Sequence, residues 1–435
     1  MSLENIVVGL DIGTTKVCAI VGKRNELGKV DILGIGKGPS DGVSRGVVVN
    51  IEKTVQAIRE AVSEAEKQSG IKIEVVHVGI AGEHVRSMQH KGIITLNHPD
   101  FEISREDVLR LHEDMFKIAT RPGTEIIHVL PQEYCVDDQA GIIDPVGMSG
   151  VRLEGNFHIV TGQTTAANNI YKCVVRAGLE VAELILEPLA SSAAVLSQEE
   201  KEAGVCLIDI GGGTTDIAIF ENNIIRHTAV IPFGGNIVTE DIKHGCKVMN
   251  KYAEMLKVQY GSTFSDAMSE DVIISIPGPR DRPAKEIHKT MLAQVIQSRM
   301  EEIMEFVAAE IKNSGYEDKL VAGIVITGGG SQLQHMKELS EFVTGIDTRI
   351  GLPGEHLAQG MVEEVNYPMY ATGTGLVIMG LESMESNMKV TQERKRTYQK
   401  RSTRTSKTSK PKISFINKIK SWFESTLSNT GDFIE

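Results

Sequence analysis

Residues 207–220 read LIDIGGGTTDIAIF, and residues 10–20 carry a shorter counterpart, LDIGTTKVCAI. In each copy a short apolar run (6–10; 205–208) leads through Asp-Ile-Gly and a glycine-containing turn into a second apolar run (16–21; 216–220). That is the pattern of a hairpin, with no helical segment after the glycines. A P-loop or a dinucleotide-binding turn needs a helix directly behind its glycines, so neither is written here. GIGKG at 34–38 lacks that context as well and reads as a turn.

The residue types inside the repeat point to phosphate. Gly13, Gly211, Gly212 and Gly213 let the main chain approach phosphate oxygens, while Thr14, Thr15, Thr214 and Thr215 offer hydroxyls. Asp11 and Asp209, at strand ends, are candidate holders of a magnesium ion through water, and Lys16 can neutralise a phosphate charge. One glycine hairpin is usually a plain strand connection. Two in the same Asp-Ile-Gly register suggest two similar lobes, each sending a hairpin to one side of a nucleotide. A third cluster, IVITGGGSQL, sets Gly328, Gly329 and Gly330 between a strand and a helix expected to start at Ser331, which would close the base side of the pocket.

At 435 residues the chain exceeds what one hydrophobic core supports, so two or more domains are expected. Apolar strands alternate with helical segments such as 51–68, 165–177 and 292–313, in the manner of α/β domains. Residues 370–380, YATGTGLVIMG, are small enough for close backbone packing. Five scattered cysteines, an odd number mostly inside apolar runs, suggest reduced buried thiols and a cytoplasmic setting. Neither a signal peptide nor a spanning helix is expected.

The net charge of -12 is unevenly distributed, because residues 385–435 hold twelve Lys/Arg against five Asp/Glu and so carry +7, leaving -19 for the rest. Residues 385–412 have almost no aliphatic content and are expected to form a disordered basic linker. Beyond it, ISFINKIKSWFE at 413–424 puts Phe415, Ile416, Ile419, Trp422 and Phe423 within one arc of a helical projection, flanked by lysines. Such a stripe suits a bilayer interface, where it would lie flat. The ten Lys/Arg of 385–412 could instead meet nucleic acid, but only Tyr398 offers a stacking face there and the acidic body would repel a polyanion. No nucleic-acid partner is expected.

Taken together, residues 9–17, 207–218 and 324–331 resemble the two phosphate motifs and the adenosine motif of the actin superfamily, which includes actins, bacterial MreB, heat-shock chaperone ATPases and sugar kinases. Residues 128–162, HVLPQEYCVDDQAGIIDPVGMSGVRLEGNFHIVTG, with the helix of 103–115 upstream, resemble the small subdomain peculiar to the FtsA family of cell-division proteins. The resemblance covers residues 5–384. It implies an α/β, actin-like (ribonuclease-H-like) two-lobed fold: subdomain 1A at 1–82 and 163–200, 1C at 83–162, 2A at 201–231 and 313–384, 2B at 232–312, then the linker and a membrane-targeting helix at 413–427.

The same resemblance implies site roles and partners. ATP and Mg2+ are the implied cofactors. Glu187, in ILEPLASSAA, falls where the chaperones orient an attacking water, so Glu187, Asp209 and Asp11 are the candidates for a weak or absent turnover. PFGGN with Gly234, Gly235 and Asn236 matches the second-lobe phosphate turn, and Glu240 and Lys243 would lie near ribose and base. Subdomain 1C implies self-association into protofilaments. Lys285, Lys289 and Arg299 of the 2B segment would receive the acidic C-terminal peptide of the tubulin-like FtsZ, with other division proteins as further partners. The implied role is an ATP-binding adaptor that polymerises at the septum, on the cytoplasmic face of the inner membrane, and tethers FtsZ filaments there. A pilus-assembly scaffold of the PilM type and an actin-fold ATPase or kinase stay open as alternatives.

Overall fold

The structure is a computed structural model that describes residues 6–96, 102–265, 272–278, 283–358 and 362–401, with side chains described up to Ser386 on the last helix. The chain begins with β1 (Ile6–Ile12), β2 (Lys16–Arg24) and β3 (Val30–Pro39), an antiparallel meander, followed by a small hairpin of β4 (Val43–Ser44) and β5 (Val47–Val48). Helix α1 (Ile51–Ser69) starts where Asn50 accepts a hydrogen bond from the Lys53 N–H, and it stops at Gly70, whose left-handed φ of 68° would strain any other residue. It carries the chain across to β6 (Val75–Ile80), parallel to β1.

A small subdomain is inserted next: β7 (Arg86–Thr95), α2 (Arg105–Met115), β8 (Thr124–Val136), β9 (Gln139–Ile142) and β10 (Arg152–Gln163). Its sheet runs β7-β10-β8-β9, and α2, held at its start by a Ser104–Asp107 capping box, covers one face. Val108, Leu111 and Met115 pack there with Phe157 and Ile159 in a core separate from those of the lobes. Helix α3 (Thr164–Ala177) and β11 (Glu180–Leu186) complete the first lobe, and α4 (Glu187–Val195) and α5 (Gln198–Ala203) lead into the second.

The second lobe repeats the plan. β12 (Val205–Ile210), β13 (Thr215–Glu221) and β14 (Ile224–Ile231) form another antiparallel meander. Helices α6 (Gly235–Gly245) and α7 (Asn250–Tyr260), the ribbon β15 (Ile273–Ile276) with β16 (Lys285–His288), and α8 (Lys289–Ser314) return the chain to β17 (Ile324–Thr327), parallel to β12. Helix α9 (Met336–Thr344) then leads to β18 (Thr348–Ile350). The two five-stranded sheets, β3-β2-β1-β6-β11 and β14-β13-β12-β17-β18, therefore have the same order, each with its Asp-Ile-Gly hairpin at the same place. After α10 (Val362–Val365), α11 (Ala371–Arg401) crosses back from the second lobe and packs on α4 and β1.

Three local readings change in the folded chain. The GIGKG segment is not a turn but part of β3: its alternate glycines face α1, and a Cβ on Gly36 would lie 1.8 Å from the Ala61 carbonyl oxygen. Bare backbone lets strand and helix touch. No α-helix begins at Ser331; Gly329–Gln332 form a 3-10 turn, and α9 starts at Met336. The expected linker begins as helix, because α11 runs on through Arg401. Lys, Arg, Glu and Gln are good helix formers, and no Gly or Pro interrupts 381–401, so an anchored helix propagates although the composition could not build a core. The small residues of 370–380 do pack closely, since a Cβ on Gly375 would lie 1.7 Å from the Ala190 carbonyl oxygen. The five cysteines are free, four of them buried. Among the described residues no helix is long and apolar enough to cross a membrane.

Candidate functional site

The two hairpins meet tip to tip. A Cβ on Gly212 would lie 2.0 Å from Thr15 Oγ1, and one on Gly213 would lie 2.5 Å from Thr14 Oγ1, so the second turn reaches the first only because it is glycine. Each tip is braced from behind. The N–H of Gly46, in the β4–β5 turn, donates to Thr14 Oγ1 at 3.2 Å. Gly235 and Asn236, at the start of α6, donate backbone N–H groups to the carbonyls of Gly211 and Gly212 at 2.9 and 2.8 Å.

Between the hairpins lies a cavity of about 400 Å³. It is lined by Asp11, Gly13, Thr14, Thr15 and Lys16 from the first lobe, Glu187 between the lobes, and Asp209, Gly211, Gly212, Gly213 and Thr214 from the second. Gly235, Asn236, Gly328, Gly329 and Gly330 line it as well. Thr215 is fully buried and donates instead to the Phe233 carbonyl at 2.9 Å, and Gly234 sits against the backbone of Gly211 and Gly212 rather than on the wall. Glu240 and Lys243 do not line the cavity; they pair with each other at 2.7 Å on the exposed side of α6. Their place on the wall is taken by Glu254 and Lys257 of α7, with Lys257 Nζ donating to the Gly235 carbonyl at 3.0 Å and to Thr239 Oγ1 at 2.8 Å.

The electrostatics are those of an acid cluster without enough cations. Burial pushes Asp11 up to about 6, with Lys16 pulling down and Asp209 pushing up. Asp209 is also raised by burial, although Ser191 Oγ at 2.6 Å and Thr372 Oγ1 at 3.2 Å donate to its Oδ2. Glu187 lies well above the usual carboxylate range, first through desolvation and then through Asp11, Asp216 and Asp209. Lys16 is lowered by burial; its Nζ donates to the Met369 carbonyl at 2.5 Å and sits over the Tyr370 ring.

Asp216 is the site residue the sequence reading passed over. It stands on β13 directly opposite Asp209, is only 4% exposed, and burial with the Asp209 charge pushes it up to about 7. Thr214 Oγ1 donates to its Oδ2 at 2.9 Å, while Oδ1 is buried without a partner and the residue faces the cavity. The second carboxylate of LIDIGGGTTDIAIF was a visible signal, read only as strand. Ser191 and Thr372 carried no such signal, because their part depends on α4 and α11 packing together.

The residues named for a peptide partner lie elsewhere. Lys285 is on β16, Lys289 opens α8, and neither they nor Arg299 line the cavity. Arg299 is already engaged, with its Nε 2.5 Å from Asp241 Oδ2 and a second ion pair to Glu302. Phe415, Ile416, Ile419, Trp422 and Phe423 lie outside the described residues.

Comparison with known proteins fits this architecture. A family model described as cell division protein FtsA matches residues 206–375, and one for the SHS2 domain inserted in FtsA matches residues 82–161. The cell division protein FtsA of Pseudomonas aeruginosa is 44% identical over 383 residues, covering 88% of this chain and 91% of its own. This chain belongs to the FtsA family of cell division proteins. The FtsA of Neisseria meningitidis is 42% identical over 369 residues, 85% of this chain and 88% of its own, and that of Borreliella burgdorferi is 38% identical over 423 residues, 97% and 98%. Family membership sets the chain apart from the PilM-type scaffold left open by the sequence. Among solved structures, a PilM-PilN type IV pilus biogenesis complex superposes with a TM-score of 0.63 at 16% identity, covering 88% of this chain and all of its own. MreB5 of Spiroplasma citri bound to ADP gives 0.53 at 15%, covering 88% and 98%. At such identity these two show the actin-like fold alone.

Proposed function

We propose that this FtsA-family chain binds Mg-ATP between its lobes, assembles into filaments on the cytoplasmic face of the inner membrane at the septum, and holds FtsZ filaments there through their acidic C-terminal peptides. The observation that carries the nucleotide reading is the acid-lined cavity closed by two glycine hairpins. Its residues fit the cofactor. The glycine turns offer backbone donors to phosphate, and Lys16 and Lys257 add positive charge. Asp11, Asp209 and the unpartnered Asp216 Oδ1 ask for a cation. A magnesium ion would be held by these carboxylates through water. Bound there, the ion would neutralise phosphate charge. Glu187 lines the same cavity and would orient a water, with turnover slow at most.

Filament assembly and membrane attachment support each other energetically. The five apolar side chains of 413–424, partly buried at up to about 1.5 to 3 kcal/mol each for full burial, offset the ordering of one short helix. A single short helix binds reversibly, so assembly into a filament multiplies the attachment. Lys285, Lys289 and an Arg299 released from Asp241 would meet the acidic peptide.

Two measurements test this. Asp209→Ala should weaken Mg-ATP binding at least tenfold by calorimetric titration, and unchanged affinity would remove Asp209 from its place. On supported bilayers, labelled FtsZ should be recruited only with the full-length chain present; recruitment without it would end the adaptor reading.

A further inference from the structure

The small subdomain touches both lobes through buried polar contacts, and one of them ends beside the cavity. His128, on β8, is 8% exposed, and its Nε2 accepts the backbone N–H of Leu186 at 3.0 Å. Leu186 ends β11 and caps α4, whose first residue is Glu187. No side chain caps α4, so this contact is what the subdomain offers to the start of that helix. On its other side the stem of Glu187 rests on bare backbone, for a Cβ on Gly79 would lie 2.9 Å from Glu187 Cγ.

Because a peptide N–H can only donate, His128 Nε2 must be an unprotonated acceptor, which fixes the tautomer with its proton on Nδ1. Burial keeps the ring neutral by pulling it down to about 4. The same strand reaches the second lobe. Opposite Asn156 and Phe157 a bulge leaves Gln132 of β8 unmatched, and its Nε2 donates to the Ile225 carbonyl of β14 at 2.7 Å. His158 on β10 joins Thr228 Oγ1 of β14 at 3.0 Å, and Ser87 Oγ donates to the Thr228 carbonyl at 3.2 Å. The connection from the first lobe is packed just as tightly: a Cβ on Gly46, in the turn behind Thr14, would lie 2.8 Å from the Ala81 carbonyl oxygen and from Gly82 Cα. A packed contact of this kind shifts in steps rather than deforming smoothly, so a change in how the subdomain sits on the lobes has to reach Leu186.

We propose that His128 is a positioning residue for Glu187: through the Leu186 N–H, the seating of the small subdomain sets where the cavity's central carboxylate stands. The assignment rests on the nucleotide reading above and names a route by which a partner bound to that subdomain alters the cleft without touching it.

The test is a double-mutant cycle on the full-length chain, with Mg-ATP and Mg-ADP affinities measured by calorimetric titration. Glu187→Gln replaces one carboxyl oxygen on the cavity wall with an amide NH2 that can only donate, and should shift the ATP-to-ADP affinity ratio. His128→Phe keeps a ring but loses the acceptor; it should shift the ratio in the same direction by roughly fivefold or more and add nothing in the Glu187→Gln background. His128→Gln, which keeps an acceptor, should restore the ratio. Equal loss of ATP and ADP affinity, or full additivity with Glu187→Gln, would reduce His128 to a structural contact and overturn the proposal. Should His128→Phe fail to fold, His128→Asn replaces it, being too short to reach the Leu186 N–H while His128→Gln is not. A parent chain that binds neither nucleotide would overturn the nucleotide reading itself, a result distinct from an additive cycle.

Discussion

Asp216 shows what a single carboxylate costs when it is buried without a cation. Its pKa of about 7 lies above the ordinary 3.8, so from about pH 4 to pH 7 the folded chain holds a proton there that the unfolded chain releases. Stability from this group is therefore lost as pH rises through that window, at on the order of 1 kcal/mol per pH unit. The buried neutral His112, His128 and His158, each pulled down to about 4, work in the opposite sense: below 6.5 the unfolded chain takes up protons that these rings refuse. The net pH profile mixes both, so the Asp216 contribution must be read as a difference. Asp216→Asn, measured without metal or nucleotide, should melt above the parent at pH 8, with the gap narrowing by pH 5. A gap independent of pH would mean that Asp216 is not held protonated in the fold.

At the scale of elements, the contact of β3 with α1 is highly sensitive to one added methyl. Gly34, Gly36 and Gly38 face the helix, and Cβ atoms there would lie 2.8, 1.8 and 2.3 Å from the carbonyl oxygens of Ala65, Ala61 and Ala57. Backbone on both sides cannot give way as a flexible side chain can. Gly36→Ala should therefore destabilise the first lobe by about 3 kcal/mol or more, seen as a lower denaturation midpoint. Gly28→Ala is the contrast. Its φ of 77° is left-handed but nothing lies within 4 Å of the added atom, so the loss should be confined to about 1 to 2 kcal/mol of backbone strain. A Gly36 variant as stable as the Gly28 one would show that strand and helix can separate without loss.

At the scale of the whole molecule, the duplicated lobes make one cavity from two distant pieces of chain, while α11 ties them together. Thr372 on α11 and Ser191 on α4 both donate to Asp209, so the two helices that join the lobes also hold a cavity carboxylate. Beyond Ser386 the helix runs on to Arg401, and the sequence continues through a Lys/Arg-rich stretch to ISFINKIKSWFE at 413–424. The tail is expected to act independently of the cavity. Full-length chain should float with liposomes containing anionic lipid and a truncation to residues 1–410 should not, with the dependence on anionic lipid weakening at high salt. Equal flotation of both would mean that the body, not the tail, meets the membrane.

Much of this was written locally. The hairpins, their glycines and threonines, Asp11 and Asp209, and the long helices could be read from the sequence because apolar period and turn chemistry are short-range properties, and the insert at 128–162 carried enough pattern to suggest its family. The rest depended on which surfaces meet. The glycines of 34–38 look like a turn until α1 lies against them; Asp216 looks like a strand residue until Asp209 stands opposite; Glu240 and Lys243 look like wall residues until α7 brings Glu254 and Lys257 to the cavity. His128 carried no sign of its part, since it joins residues fifty-eight positions apart through an insert and a neighbouring lobe. Sequence determined the hairpins and the chemistry they carry, while tertiary packing decided which side chains share the cavity, because burial and close backbone approach arise only when segments distant in the chain are brought together.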